Sequence, residues 1–327
     1  MFYRTTPLVQ HFTRRLQASY TGLFGASPTG AYEVVLQVAQ TALSAIARTD
    51  AAYHNVDHTV LVATVGLEIL HGKHRLEQSV TPHTWANFIV ALLCHDIGYL
   101  KGICAADDPV QHRYATGVGD GVVAIAPVAT DASLTSYHVD RGKVFVAANL
   151  VQYAGLDLAQ VQQFIEMTRF PVPSDAAYQA TQTLGGLARA ADLIGQLSDP
   201  CYLEKLPALF QEFTETGANL ALNYHHVNDL RAGYPAFFHG VVQPLILPAT
   251  RYLQATRQGQ ITLANLYRNV AIVEQERATQ ASGDRETLLD ASGRHHVFLH
   301  DTPPAPLYPP DDAAFFDPAA GLKHHRV

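Results

Sequence analysis

The sequence predicts an all-α protein, and three features of its 327 residues carry that prediction. Apolar residues recur at three- and four-residue intervals, as at Val34, Val38, Ala42 and Ile46. Alternating stretches of the kind that make a half-buried strand are scarce. Gly, Pro, Asp and Asn fall between the periodic segments as breaks. With 48% hydrophobic and only 16% charged residues, the chain can fill a large core.

In order, helices are expected over 31–48, 54–71, 83–100, 143–153, 157–168, 179–198 and 201–216. The first is the stripe just named. The second continues the face of His54 and His58 through Leu61, Val65 and Ile69. The third is the apolar run WANFIVALLC, which leads into His95, Asp96 and Gly98. The 179–198 segment has an apolar stripe of Leu184, Leu187, Ala191 and Ile194 with Asp192 beside it. Beyond 216, AFFHGVVQPLILPATRYLQAT and ITLANLYRNVAIVEQER should be helices packed on the same core, bent or divided at Pro244 and Pro248. From about Ala281 the chain turns Pro- and Asp-rich, and an extended or disordered tail is expected. The expected organisation is therefore one domain over 1–280, with a motif-bearing core at 31–216, C-terminal helices at 217–280 and a tail at 281–327.

Lys and Arg number 22 against 29 acidic residues, so the net charge of −7 offers no basic field to a nucleic-acid polymer. Cys94, Cys104 and Cys201 form neither a disulfide framework nor a cysteine zinc site, which suits a reducing, cytoplasmic setting. The opening MFYRTTPLVQHFTRR is broken by Pro7 and by charge before any stretch of signal-peptide length. No run approaches membrane-spanning length, so neither a signal segment nor a membrane partner is expected.

Three segments carry chemistry. In AYHNVDHTVL, His54 and His58 are four apart, so on a helix both imidazoles share a face. In WANFIVALLCHDIGYL, His95 supplies a neutral nitrogen. Asp96 adds a carboxylate that is costly to bury without a cation and has two oxygens with which to bridge metals. In TLGGLARAADLIGQLSDP, Gly185, Ala188 and Gly195 leave little bulk around Asp192. Each segment alone also has a plainer reading: histidines paired by chance, a His-Asp pair meeting solvent, an exposed mid-helix aspartate.

Together, His58, then His95 with Asp96, then Asp192 resemble the HD phosphohydrolase superfamily, whose pattern is a histidine, a His-Asp pair and a distant aspartate on helices. YHNVDH and ARAADLIGQLSDP are similar to two signatures of class I cyclic-nucleotide phosphodiesterases, and Phe237 and Pro244 match the spacing of that family's base-clamping phenylalanine and a following proline. The resemblance implies a PDEase-like helical bundle in which His58, His95, Asp96 and Asp192 hold one divalent metal and Asp96 bridges to a second. The ions would be manganese, magnesium, zinc or iron. It implies a metal-activated water as nucleophile and His54 as the general acid, with a small phosphoester as substrate, first of all a cyclic-nucleotide-like diester. Asn55 would orient His54 or cap a neighbouring element, and His138, Tyr234 and Phe237 would face substrate. Arg141 and Lys143 could meet phosphate, but are expected first as solvated charges.

The likeness has departures. Tyr99 stands where the phosphodiesterases have a further histidine, Arg169 follows Thr168 where they have aspartate, and Tyr234 replaces the purine-pairing glutamine. Gly233-Tyr234-Pro235 spells the GYP of another HD branch out of its order, and is expected to be a turn. His225 and His226, His295 and His296, and His324 and His325 lack partners at ligand spacing. Open alternatives are a nucleotide phosphomonoesterase, a di-iron oxygenase drawing on His112 and His138, and a non-catalytic metal- or nucleotide-binding regulator.

Overall fold

A computed structural model describes residues 7–25 and 30–292, with side chains through Ser282. The protein is all-α. Its helices are α1 (Pro7–Phe24), α2 (Gly30–Ile46), α3 (Val56–Glu77), α4 (Pro82–Cys94), α5 (His138–Asn149), α6 (Leu158–Glu166), α7 (Leu184–Leu197), α8 (Tyr202–Thr216), α9 (Ala218–Ala221), α10 (Val227–Phe237), α11 (Gln243–Gln254) and α12 (Arg257–Ser292). Tight 3-10 turns occupy Ile97–Tyr99, Asp131–Tyr137 and Ala176–Gln179. Between α4 and α5 a small antiparallel hairpin pairs β1 (Arg113–Ala115) with β2 (Val122–Ala124).

The helix α1 goes beyond what the sequence led us to expect. Pro7 opens it, where a missing N–H costs nothing, and Phe12, Leu16 and Tyr20 bury one face. At the centre lies α3, with Val60, Val62, Ala63, Val65, Leu67, Ile69 and Leu70 all buried. Such a helix is covered on most sides, here by α1, α4, α7 and α11.

The start of α3 corrects one expectation. Asn55 is extended and its Oδ1 accepts from the backbone N–H groups of Asp57 at 2.9 Å and His58 at 3.4 Å, so the helix begins after it. His54 therefore precedes the helix and is not one turn above His58 on it.

Two glycines bring distant segments together. A Cβ on Gly195 would lie 2.7 Å from Val62 Cα, so its absence lets α7 approach α3, the crossing that carries Asp192 toward His58. A Cβ on Gly98 would lie 1.9 Å from the backbone oxygen of His138. Gly98→Ala must push the turn after Asp96 away from the start of α5, and is expected to cost about 3 kcal/mol by overpacking. Chemical denaturation checks that figure, and a loss near zero would mean that the contact relaxes freely.

The C-terminal helices pack on the same core, which runs without a break from Phe12 to Val273. Two expectations fail there. Gly233-Tyr234-Pro235 is not a turn: it lies inside α10, which continues through a π-helical turn at Phe238–Val242 into α11. Pro235, Pro244 and Pro248 each remove a helical donor, and the π turn absorbs the resulting change of register. The extended region also does not begin at Ala281, because α12 runs to Ser292. The stretch ASGDRETLLDAS contains no proline, and the Pro-rich composition that suggested a tail starts only at Pro303. The tail from 293 onward lies outside the described residues. Among the described residues no helix is long and apolar enough to cross a membrane.

Candidate metal centre

Where α3, α4 and α7 meet, four side chains converge. His58 is in the first turn of α3, His95 caps α4 with Asp96 following it, and Asp192 is on α7. His58 Nε2 and His95 Nε2 are 3.3 Å apart. Each lies 3.1 Å from Asp96 Oδ2, and they are 3.4 and 3.5 Å from Asp192 Oδ1. Ligands at about 2.0–2.2 Å from one divalent cation stand about 3.0–3.5 Å from one another in octahedral or tetrahedral arrangements. The two imidazole nitrogens have that spacing to each other and to each carboxylate oxygen.

Their hydrogen bonding agrees. His95 Nδ1 lies 2.7 Å from the Leu92 carbonyl oxygen and donates to it, which leaves the Nε2 lone pair of the neutral ring facing inward. Asp96 Oδ2 is buried with no hydrogen-bond partner. Two imidazoles and a carboxylate buried together, with the partly buried carboxylate of Asp192 beside them, need positive charge, and the residues present fit a divalent cation. Without one, protons take the role. Burial would discharge His95, but Asp96 and Asp192 outweigh it and hold its pKa well above the usual range. Burial likewise opposes ionisation of Asp96 and Asp192, yet His95 and His58 pull both carboxylates below theirs.

Beside this quartet stands His54, its ring 5.3 Å from that of His58. Its partner, Glu212 on α8, lies 158 residues away in sequence. Glu212 Oε2 is 2.5 Å from His54 Nδ1, while Oε1 accepts from the backbone N–H groups of Tyr53 at 2.6 Å and His54 at 3.1 Å. Burial alone would discharge His54, but the charge and hydrogen bond of Glu212 override it, with help from Asp96 and Asp192, and raise the pKa to about 9. The sequence reading missed Glu212. One signal was present: Tyr202, Leu206 and Leu209 form the buried stripe of α8, and Glu212 is its next member.

Tyr99 fills the space between two histidines. Its ring stacks on His54 at 4.6 Å and on His138 at 4.4 Å, both nearly parallel. His138 Nδ1 donates to the Thr135 carbonyl oxygen at 2.5 Å, so Nε2 presents a lone pair 3.8 Å from Asp96 Oδ1. Burial outweighs the pull of Asp96 and keeps this ring neutral, with its pKa lowered. His138 thus belongs to the site. Among the described residues His112 joins neither cluster able to hold a metal, the first being His54, His58 and Asp96 and the second His58, His95 and Asp192.

Other candidates stand elsewhere. Asn55 spends its side-chain oxygen on the α3 cap. Tyr234 is buried against Tyr202, ring centroids 5.1 Å apart, with no partner for its hydroxyl. Phe237 is half-buried, edge-on to Phe170 at 6.0 Å. Arg141 and Lys143 are not simply solvated. Arg141 is wholly buried, pairs with both oxygens of Asp107 at 2.9 Å, and donates to the carbonyls of Gly98, Leu100 and Ala115. It straps the hairpin loop to the turn after Asp96. Lys143 and Arg169 share Asp140 and Glu166 in one ion network.

The sequence profile of the Npun_R2479-like family matches residues 2–276, a span that includes every residue of this centre. No curated protein matches the chain.

Proposed function

The chain belongs to the Npun_R2479-like family over residues 2–276, and we propose that it is a metal-dependent phosphohydrolase. The observation that carries the reading is the convergence of His58, His95, Asp96 and Asp192 at ligand spacing, next to a histidine kept charged by Glu212. The resemblance to HD phosphohydrolases supports the same reading. A divalent cation held there supplies Lewis acidity, lowering the pKa of a water and offsetting charge on phosphoryl oxygens.

The protein's own groups do the rest. His54 holds its proton on the side of the ring away from Glu212 and delivers it to the leaving oxygen. Glu212 keeps the ring charged through its hydrogen bond with Nδ1, while its other oxygen holds the backbone N–H groups of Tyr53 and His54. Neutral His138 offers a lone pair beside Asp96 and accepts a hydrogen bond from a water, which it orients. Tyr99 holds the two imidazoles apart and excludes solvent between them.

Charge favours a diester over a monoester. Arg141, Lys143, Arg169 and Lys205 are each paired with carboxylates, and Arg189 is buried against the carbonyls of Met167 and Tyr178. A phosphate at the site therefore meets its charge compensation in the cation and His54, which suits the single charge of a diester. In this reading Phe237, with Phe170, faces the base of a small nucleotide, and Tyr234 stands behind it.

Protein loaded with manganese, magnesium, zinc or iron should cleave bis-para-nitrophenyl phosphate faster than para-nitrophenyl phosphate, with cyclic and linear nucleotides then ranking the natural class. Tight metal binding without turnover of any of these would refute the proposal.

A further inference from the structure

The helix α8 places two carboxylates one turn apart, and each grips a different loop of the site. Glu212 takes the backbone of Tyr53 and His54. Glu215 takes Thr130 with both oxygens: Oε1 accepts from its N–H at 2.6 Å and Oε2 from its hydroxyl at 2.7 Å. Thr130 in turn caps the 3-10 turn Asp131–Tyr137, which ends at His138.

Both acids lie toward the C-terminal end of their helix, Glu215 in its last turn, where the helix dipole disfavours negative charge. The backbone and hydroxyl donors of the two loops, with the His54 ring beside Glu212, make these positions favourable.

We infer that Glu215 is a positioning residue for His138, and that α8 acts as a ruler setting the separation of His54 and His138 across Tyr99. The inference rests on the phosphohydrolase reading only for its kinetic consequence. The turn has other anchors. The Asp131 N–H donates to Asp50 Oδ1 at 2.6 Å, and Asp131 accepts from the Lys101 N–H and the Thr49 hydroxyl. Loss of Glu215 should therefore tilt the turn without unfolding it.

The test uses full-length zinc-loaded protein labelled with nitrogen-15 in histidine, and the His138 ring signals are identified by their disappearance in His138→Gln. Glu215→Ala should move those signals and leave the His58 and His95 signals in place. Glu215→Gln, which retains an acceptor for the Thr130 N–H, should restore most of the shift. On bis-para-nitrophenyl phosphate, Glu215→Ala should lower kcat by about ten- to a hundredfold at unchanged zinc content, the scale expected for a small misplacement of a reacting group. Unmoved His138 signals, movement of all the site histidines together, or shifted signals with kcat unchanged would each overturn the inference. If wild-type protein turns over no diester, the phosphohydrolase reading falls, and the ring signals alone decide whether Glu215 positions His138.

Discussion

Asp96→Ala protein is expected to retain no tightly bound divalent cation and to lose at least roughly 10⁴-fold in diester turnover, the scale on which removing one member of a catalytic unit acts. Asp96 faces both inward imidazole nitrogens through one oxygen and His138 through the other, so no other ligand replaces it. Elemental analysis of protein purified with added metal measures the first effect. The variant should keep its fold, since Asp96 makes its contacts to other ligands and not to the core. Metal titration should then raise the melting temperature of wild-type protein and leave the variant flat; stabilisation by about 4 kcal/mol corresponds to metal at a thousandfold excess over its dissociation constant. Equal stabilisation of both proteins would place the cation elsewhere.

The same site has a pH signature whose sign follows from its groups. In metal-free protein His95 holds its proton above the usual histidine range. Its contribution to stability is full below the unfolded pKa of about 6.5 and is lost as pH rises through the raised value. Asp96 and Asp192 are depressed, so their contribution is present above about pH 4 and is lost in acid. A cation competes with the His95 proton, and metal affinity should therefore climb with pH until His95 is discharged.

Much of this was legible in the chain. The stripes of 31–48 and 179–198 mark α2 and α7 because burial enforces a period of 3.6 on any helix with one covered face. The four candidate ligands are readable because each is a polar side chain placed in an apolar helical setting. What was not legible has specific causes. His54 looks helical by spacing, but the cap at Asn55 is a local hydrogen-bond choice that spacing does not encode. Arg141 looks like surface charge because its five acceptors come from Gly98, Leu100, Asp107 and Ala115, which only the folded loop assembles. Glu212 is the instructive miss: a carboxylate continuing a buried stripe requires a buried donor, and that donor was already the suspected acid.

That pairing makes the second large prediction. With His54 removed, as in His54→Gln, the metal ligands remain, and what is lost is the proton delivered to the leaving oxygen. The loss should depend on the leaving group. A nitrophenolate departs without assistance, so bis-para-nitrophenyl phosphate should be cleaved within about tenfold of the wild-type rate, whereas an alkoxide leaving group such as a ribose oxygen should show the 10²–10⁴-fold deficit typical of a missing general acid. Glu212→Gln probes the same proton from behind. The amide still accepts from the Tyr53 and His54 backbone but brings no charge, and Glu212 stands first among the groups that raise the His54 pKa, ahead of Asp96 and Asp192. For the poor leaving group the alkaline limb of kcat/KM should move to lower pH in Glu212→Gln, with the acid limb unmoved. If both substrates fall equally in His54→Gln, or the alkaline limb stays in place without Glu212, His54 is not the proton donor and acts instead by holding the shape of the site.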